Sequence, residues 1–483
     1  MVKVAFIINT VGFSIPLGIA YLSGILNKNS CQVDIFEVGR NPSRAIKDIK
    51  SFNPDIVGYS VITGEQNFYL DFNRKLKKAL SFLALFGGPH ATFFPETVEE
   101  DSVDCVCIGE GELALEEFVR EFSKSREVPD KIQNFWIKKK DIIIKNPLRP
   151  RVNDLDLLPL PERKIFYDKF QIINRHGIKH FLANKGCPYQ CTYCFNKSYN
   201  DLYKNTDTGS ICRSRAPKNI CDEINIERKK TIIKMVAFID DSFTLNKGWV
   251  KDFTRVYKKT VGLPFSINTR FDLLNDEVIS YLKEANCSLI YVGVESGNEF
   301  VRNSLLNRKM SLDTIYRSSD LIKKHNIKFL TENIIGIPGE GFDMALDTLK
   351  VNMHIKPNFA GCSFFNPYPK LKLTDYAIEK NYFNGDFSRL RDSYFYDPPI
   401  RQKNKKELNR ILNLRCFFSL LAAYPRLFNF FKKFILDIPH NRVFRRLADV
   451  IDGYYLKKCL PYKKTLLEDI KAAIFYLTRY RKG

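Results

Sequence analysis

The sequence predicts an α/β protein of three parts: an N-terminal doubly wound parallel sheet, a central partial (β/α)6 barrel and a C-terminal helical region. Three observations predict it. Short apolar runs alternate with helical stretches over the first 125 or so residues, and the same alternation resumes at His180. Alternation of that length makes parallel sheets covered by helices. After about residue 375 strand signals stop and aromatic-rich helices take over. A length of 483 residues asks for two or three domains, and the boundaries read as 1–125, 126–178, 179–375 and 376–483.

The elements follow in order. VKVAFIIN is a strand, Leu17 to Asn29 has helical spacing, and Cys31 to Val38 is a second strand. Ala45 to Phe52 is a short helix, Asp55 to Val61 a strand and Phe68 to Leu80 a helix; ALFGG and CVCIG are further strands. Ligands of such sheets sit at the carboxyl ends of the strands. Those ends carry Tyr59-Ser60, Gly87-Gly88-Pro89-His90 and Gly109-Glu110-Gly111-Glu112. Residues 125 to 180, with the stretch LPLPERKIF, read as an irregular linker.

The second series begins at His180-Phe181-Leu182-Ala183. Its strands are Lys234 to Asp240, Phe265 to Arg270, Leu289 to Ser296, Phe329 to Gly339 and Ala360 to Pro367, separated by helices such as Asp276 to Ala285 and Leu312 to His325. A parallel sheet of that size curls into a partial barrel, with its chemistry at the strand C-termini. In the last part Lys406 to Leu420 and Lys464 to Arg479 read as helices.

Composition narrows the setting. Hydrophobic residues make up 45% and charged residues 27%, as in soluble globular proteins. The opening MVKVAFIINT reads as a strand and not as a signal peptide. No apolar run reaches the length of a membrane span. Twelve cysteines lack the spacing of a disulfide framework, so a reducing, cytoplasmic setting is expected. The net charge is +22, and from Arg401 onward 20 Lys and Arg face 6 Asp and Glu. Nucleic acid, an anionic membrane surface or an anionic substrate would each answer that charge, as would a solvated basic surface.

The segment FLANKGCPYQCTYCFNKSY carries the chemistry. Cys187, Cys191 and Cys194 have the spacing C-x3-C-x2-C in a loop directly after a strand. Thiolates are the usual ligands of iron–sulfur clusters, and three of them leave the fourth iron of a [4Fe–4S] cluster open to another ligand. A zinc site is the competing reading. It would need a fourth ligand, for which Cys212 or His180 could be nominated, although neither forms a paired motif.

The segment resembles the signature of the radical S-adenosylmethionine (SAM) superfamily, including the aromatic Tyr193 before the last cysteine. Further segments resemble the same superfamily in the same order: FIDDSF (238–243), INTR (267–270), VGVESG (292–297) followed by LLNRK (305–309), and NIIGIPGE (333–340). The resemblance implies that the open iron chelates SAM, that an electron from the cluster cleaves its C–S bond, and that a 5′-deoxyadenosyl radical then abstracts a hydrogen from an unactivated carbon. It assigns Tyr193, Asp240, Asp241, Asn268, Arg270, Glu295, Gly336 and Pro338 to the SAM side. It also implies an electron donor such as flavodoxin or ferredoxin.

The first part is similar to the Rossmann-type cobalamin-binding domain that precedes many radical SAM proteins. PLGIAYLSGIL (16–26), PDIVGYSV (54–61), GGPHATFFPE (87–96) and VDCVCIGEGE (103–112) carry the similarity. It implies cobalamin contacts from Ser60, Gly87, Gly88, His90, Gly109, Glu110, Gly111 and Glu112, with glycines letting backbone approach the corrin. The D-x-H-x-x-G motif is absent and no histidine precedes His90, so no histidine lower ligand is expected.

Cobalamin beside a radical generator implies methyl transfer to an unreactive centre, with radical cyclisation or rearrangement as the alternative. The overall pattern is similar to the branch that includes anaerobic magnesium-protoporphyrin cyclase and hopanoid methylases, which implies a small-molecule or lipid-like substrate. An RNA-modifying methylthiotransferase would carry extra cluster cysteines in the first domain and a basic β-barrel at the end. Cys31, Cys105 and Cys107 do not have that look, and nucleic acid is not expected as a partner. Cys416 to Leu436 mixes Phe and Leu with cations, as interfacial helices do, and Pro425 should divide it. It reads either as a peripheral contact with the inner membrane surface or as a buried helix pair capping the barrel mouth.

Overall fold

A computed structural model describes residues 1–206, 210–387, 390, 395 and 398–462. The first sheet has seven strands: β1 (Lys3–Ile8), β2 (Gln32–Glu37), β3 (Ile56–Ser60), β4 (Leu83–Gly87), β5 (Cys105–Cys107), β6 (Phe135–Lys139) and β7 (Ile142–Lys145), in the order β2-β1-β3-β4-β5-β6-β7. The pairings from β2 through β5 are parallel. β1, β3 and β4 are apolar along their length because helices bury both faces. Helices Leu17–Lys28 and Glu112–Ser125 cover one face, and Pro42–Phe52 and Gln66–Lys77 the other.

The expected linker is more ordered than its sequence suggests. β6 and β7 form a hairpin that pairs antiparallel onto β5, so the first sheet runs some twenty residues past the expected boundary at 125. Phe135 and Ile137 pack on the core of one sheet face and Trp136 on that of the other. Pairing to β5 decides this strand, and local pattern does not reveal it.

The second sheet is a six-stranded parallel partial barrel in the order β15-β14-β13-β12-β11-β8, formed by β8 (Ile178–Phe181), β11 (Met235–Phe238), β12 (Phe265–Thr269), β13 (Cys287–Glu295), β14 (Lys328–Ile335) and β15 (Phe359–Phe364). Two short strands, β9 (Asn184–Lys185) and β10 (Arg213–Ser214), pair antiparallel and clasp the two ends of the cysteine loop. The helices outside the barrel start where the sequence signals a start: Asn246, Asn275 and Ser311 each accept a hydrogen bond from a backbone N–H three residues on.

The C-terminal region departs from the expected cap on the barrel mouth. Helix Lys405–Ala423 lies against helix Phe342–Ile355 and the outward face of β15, as a further member of the outer wall. Helix Arg442–Cys459 closes the opposite end, where its Tyr455 and Cys459 pack on Met235, Leu289, Leu330 and Phe359, the innermost side chains at the N-terminal ends of four barrel strands. Pro425 does divide the apolar stretch: the first helix stops at Ala423, and a short turn leads into helix Phe428–Phe434. The expected helix from Lys464 to Arg479 lies outside the described residues. Among the described residues no helix is long and apolar enough to cross a membrane.

Candidate active site

The cysteine loop is fixed at its base by backbone geometry and by one carboxylate. Gly186 has φ +92°, and a Cβ there would stand 2.0 Å from the carbonyl oxygen of Ile211, so only glycine lets the returning chain pass beside Cys187. Asp240, at the end of β11, is fully buried and accepts from the backbone N–H of Ala183 at 2.8 Å and of Asn184 at 3.0 Å, and from the Asn184 side chain at 3.1 Å. Burial nevertheless lifts its carboxyl to about 7. Asp240, expected on the SAM side, ties down the start of the cysteine loop through both carboxylate oxygens.

The three thiols share one neighbourhood: beyond burial, Cys194 and Cys191 push the Cys187 thiol further up, and Cys191 does the same to Cys194. Burial pushes the Cys187 thiol up to about 12, a cost removed when ligation to iron displaces the proton. Positive and donor groups surround the sulfurs. The Arg270 guanidinium lies 3.9 Å from Cys191 Sγ, stacks on the Tyr189 ring at 3.6 Å, and is held by Asp272 at 2.8 and 2.9 Å. Asn196 donates to Asp241 at 2.8 Å and approaches Cys194 Sγ at 3.6 Å. A donor set of three thiols ringed by such groups fits a thiolate-bound cluster. Arg270 and Asp241, both expected on the SAM side, stand beside the cysteines.

The zinc reading gains no support from its nominees. His180, on β8, has its imidazole held near 4 by burial and by the Arg163 and Lys179 charges. Among the described residues no three His, Cys, Asp or Glu side chains converge on a single ion.

A second chain of contacts leads from the loop into the barrel. Arg308 donates to the Tyr193 hydroxyl at 3.2 Å and to the carbonyl of Gly293 at 3.0 Å, and stands 3.6 Å from the Glu295 carboxylate. Glu295 ends β13 at a bulge, with φ +63°. Asn268 reaches the Asp240 carbonyl at 3.2 Å. Gly336 turns the chain at φ +69°, Pro338 is buried, and Glu340 behind them accepts from the backbone N–H of Ile337 at 3.2 Å.

Glu332 was not singled out in the sequence. It lies two residues after Leu330 on the same face of β14 and stays exposed there. The surrounding protein and the Glu295 charge raise its carboxyl to about 7 against the pull of Arg308. The available signal was a carboxylate in the middle of an apolar strand. Arg308 lies within LLNRK (305–309), where nothing local predicts its contacts with Tyr193 and Glu295.

In the first sheet the expected cobalamin residues divide. Gly88 and Gly109 have φ +88° and +75°, but the space a Cβ would take holds the Val61 backbone at 2.9 Å and the Tyr203 hydroxyl at 2.1 Å. Their close approach is to the chain itself. Glu110 forms a two-pronged pair with Arg213 at 2.6 and 3.0 Å, and Glu112 pairs with Lys185. Both carboxylates thus join the first sheet to the cysteine-loop clasp. Burial pushes the Glu110 carboxyl up, but Arg213 and Lys185 outweigh it and leave it below its usual range. His90 is buried, bonds Thr63 at 3.1 Å and stacks on Phe94; burial keeps it neutral, at about 4.

Ser60, Gly87 and Gly111 remain at strand ends without a steric demand of that kind. Beside them Ile62, just past β3, is 47% exposed, and Ile239, just past β11, is 44% exposed.

Comparison with known proteins agrees with this geometry. The radical SAM superfamily model matches residues 183–351, and the B12 binding domain model matches residues 4–119. An uncharacterized methyltransferase of Pyrococcus horikoshii is 28% identical over 76% of this chain and 79% of its own length. Cytidylyl-2-hydroxyethylphosphonate methyltransferase of Streptomyces wedmorensis is 23% identical over 64% of this chain and 66% of its own. Among solved structures, apo OxsB, a cobalamin-dependent SAM radical enzyme, superposes with TM-score 0.68 at 16% identity, covering 100% of this chain and 76% of that one. The methyltransferase TsrM of Kitasatospora setae, solved with cobalamin and a [4Fe–4S] cluster, gives TM-score 0.64 at 16% identity, covering 78% and 75%. At such identities the superpositions speak for the fold, and the two family models speak for the domains. The chain thus carries a radical SAM domain over residues 183–351 behind a B12-binding domain over residues 4–119.

Proposed function

We propose that the chain is a cobalamin-dependent radical methyltransferase that acts on an unactivated carbon of a small-molecule or lipid-like substrate. One observation carries the reading: the cysteine loop and its clasp dock directly on the strand-end loop of the first sheet. Tyr203 accepts from the Glu110 backbone N–H at 2.9 Å, Arg213 holds the Glu110 carboxylate and Lys185 the Glu112 carboxylate. The ligand-bearing ends of the two sheets therefore share one junction, which methyl transfer between two cofactors needs. The relatives named as methyltransferases support the same reaction class.

The chemistry supplied by the bound groups is reductive cleavage of SAM to a hydrogen-abstracting radical and donation of a methyl group. The protein's share is positioning and charge. Cys187, Cys191 and Cys194 are the cluster ligands, and Arg270 and Arg308 offset the thiolate charge beside Cys191. Asn268, Glu295 and Glu332 present polar groups to the lumen, where SAM carries an ammonium and ribose hydroxyls. The Gly336–Pro338 turn borders that space. Ser60, Gly87 and Gly111 would hold the corrin side of a bound cobalamin. A flavodoxin- or ferredoxin-type protein supplies the electron, and a reducing cytoplasmic setting suits the free thiols.

The test uses reconstituted, corrinoid-loaded protein with methyl-labelled SAM and fractionated small-molecule and lipid extracts. A methyltransferase forms 5′-deoxyadenosine and S-adenosylhomocysteine together and passes the label to a product. Formation of 5′-deoxyadenosine and a new product without S-adenosylhomocysteine would replace methyl transfer by cyclisation or rearrangement.

A further inference from the structure

More than half of the large apolar side chains exposed among the described residues lie between Tyr424 and Leu456. Helix Arg442–Cys459 presents two apolar stripes. Phe444, Ala448, Ile451 and Tyr455 pack inward against the barrel and helix Lys405–Ala423. Val443, Leu447, Val450 and Tyr454 repeat the same spacing one position earlier and face outward, with Val450 70% exposed. The short helix Phe428–Phe434 repeats the division: Phe431 packs on Phe417 while Phe430 and Phe434 stay exposed. Phe417 also packs on Phe444, so the two helices are neighbours.

Cations rim this face. From Tyr424 to Tyr462 there are eight Lys and Arg against three Asp. Asp437 is bound by Arg410, and Asp452 by Arg415 and Ser419, so two of the three acids are already neutralised. Lys433 and Lys458 lie over the exposed rings of Phe434 and Tyr454 at 5.1 and 4.3 Å. Arg442, Arg446 and Lys457 occupy the helix flank beside the Val443–Tyr454 stripe, on its 3.6-residue period.

We propose that this face is a docking surface for an anionic lipid bilayer, on which the apolar stripe enters the headgroup boundary and the surrounding cations meet acidic headgroups. Apolar and cationic side chains interleaved on helices too short to span are the signature of interfacial binding. A second copy of the chain is disfavoured as occupant, because it would press the same cations together. The proposal concerns where the protein works, and stands or falls independently of methyl transfer.

The experiment is flotation of the full chain with phosphatidylcholine vesicles, with and without phosphatidylglycerol, at low and high salt. Three proteins are compared: wild type, Phe430→Ser with Val450→Ser, and Lys432→Glu with Lys433→Glu. Wild type is expected to float with the anionic vesicles at low salt and to lose most of that binding at high salt. The apolar variant should partition at least about tenfold less at either salt. The charge variant should lose about tenfold or more on anionic vesicles only. Each variant should retain wild-type iron content and 5′-deoxyadenosine formation, which makes loss of binding distinct from loss of fold. Wild type that fails to float, or variants that float equally, would overturn the proposal. So would a dimer that the apolar variant dissolves in the absence of vesicle binding, which would assign the face to a second copy.

Discussion

Glu340 is buried behind the Gly336–Gly339 turn, and burial raises its carboxyl to about 8. A folded value above the unfolded one means that the folded state holds the proton more tightly. Stability is then fully present below about pH 4 and is lost as pH rises through about 8, by on the order of a few kcal/mol. Denaturant midpoints compared at about pH 5 and about pH 9 should fall for wild type, and fall less for Glu340→Gln, whose amide does not ionise. Gly186 gives a second prediction at this scale. A Cβ 2.0 Å from the Ile211 oxygen displaces the strand that clasps the cysteine loop, so Gly186→Ala should lower iron bound per protein after reconstitution and cost about 1–3 kcal/mol of stability. That Cys187, Cys191 and Cys194 share one loop was legible from spacing alone, because three thiols within eight residues leave a local trace. Arg308 and Glu332 were not, because their roles come from Tyr193, Glu295 and the barrel lumen, all distant in sequence. The contacts of the Asp240, Glu110 and Glu112 carboxylates with the cysteine loop and its clasp left no local trace either.

Between elements, the densest charge lies in a buried network. Glu223, on helix Pro217–Arg228, is 1% exposed and takes Arg163 at 2.6 Å and Arg215 on its other oxygen; Arg215 also reaches Tyr21 of the first domain at 3.3 Å. Removing one partner of such a network leaves charge buried and unpaired. Glu223→Gln is expected to cost about 3–5 kcal/mol of stability in chemical denaturation, and Lys164→Gln, at an exposed pair nearby, to leave the denaturation midpoint unchanged. Equal effects at both positions would contradict this partition. Elements with strong periodicity were legible within a residue or two: β3, β4 and helices Asp276–Glu284 and Leu312–Lys324 lie where apolar spacing puts them. The β6–β7 hairpin was not, because its strands gain their register from β5. The position of the C-terminal helices was hidden for a similar reason, since an apolar stripe says that a helix packs but not against which wall.

Over the whole molecule, the floor of the barrel is sealed by Tyr455 and Cys459, and its mouth is turned toward the strand ends of the first sheet through Glu110–Arg213 and Glu112–Lys185. A closed floor and a mouth held against a second ligand-bearing sheet restrict chemistry to the junction of the two domains. Domain order and fold class were legible from alternating periodicity. Their docking was not, because it rests on ion pairs between residues about seventy to a hundred positions apart. The most direct test is 5′-deoxyadenosine formation from SAM by anaerobically reconstituted, reduced protein, wild type beside Cys191→Ala. The account predicts turnover in wild type and none in the variant, with cobalamin retained by both. Turnover undiminished in Cys191→Ala would contradict it, as would a wild-type protein that takes up no iron–sulfur cluster.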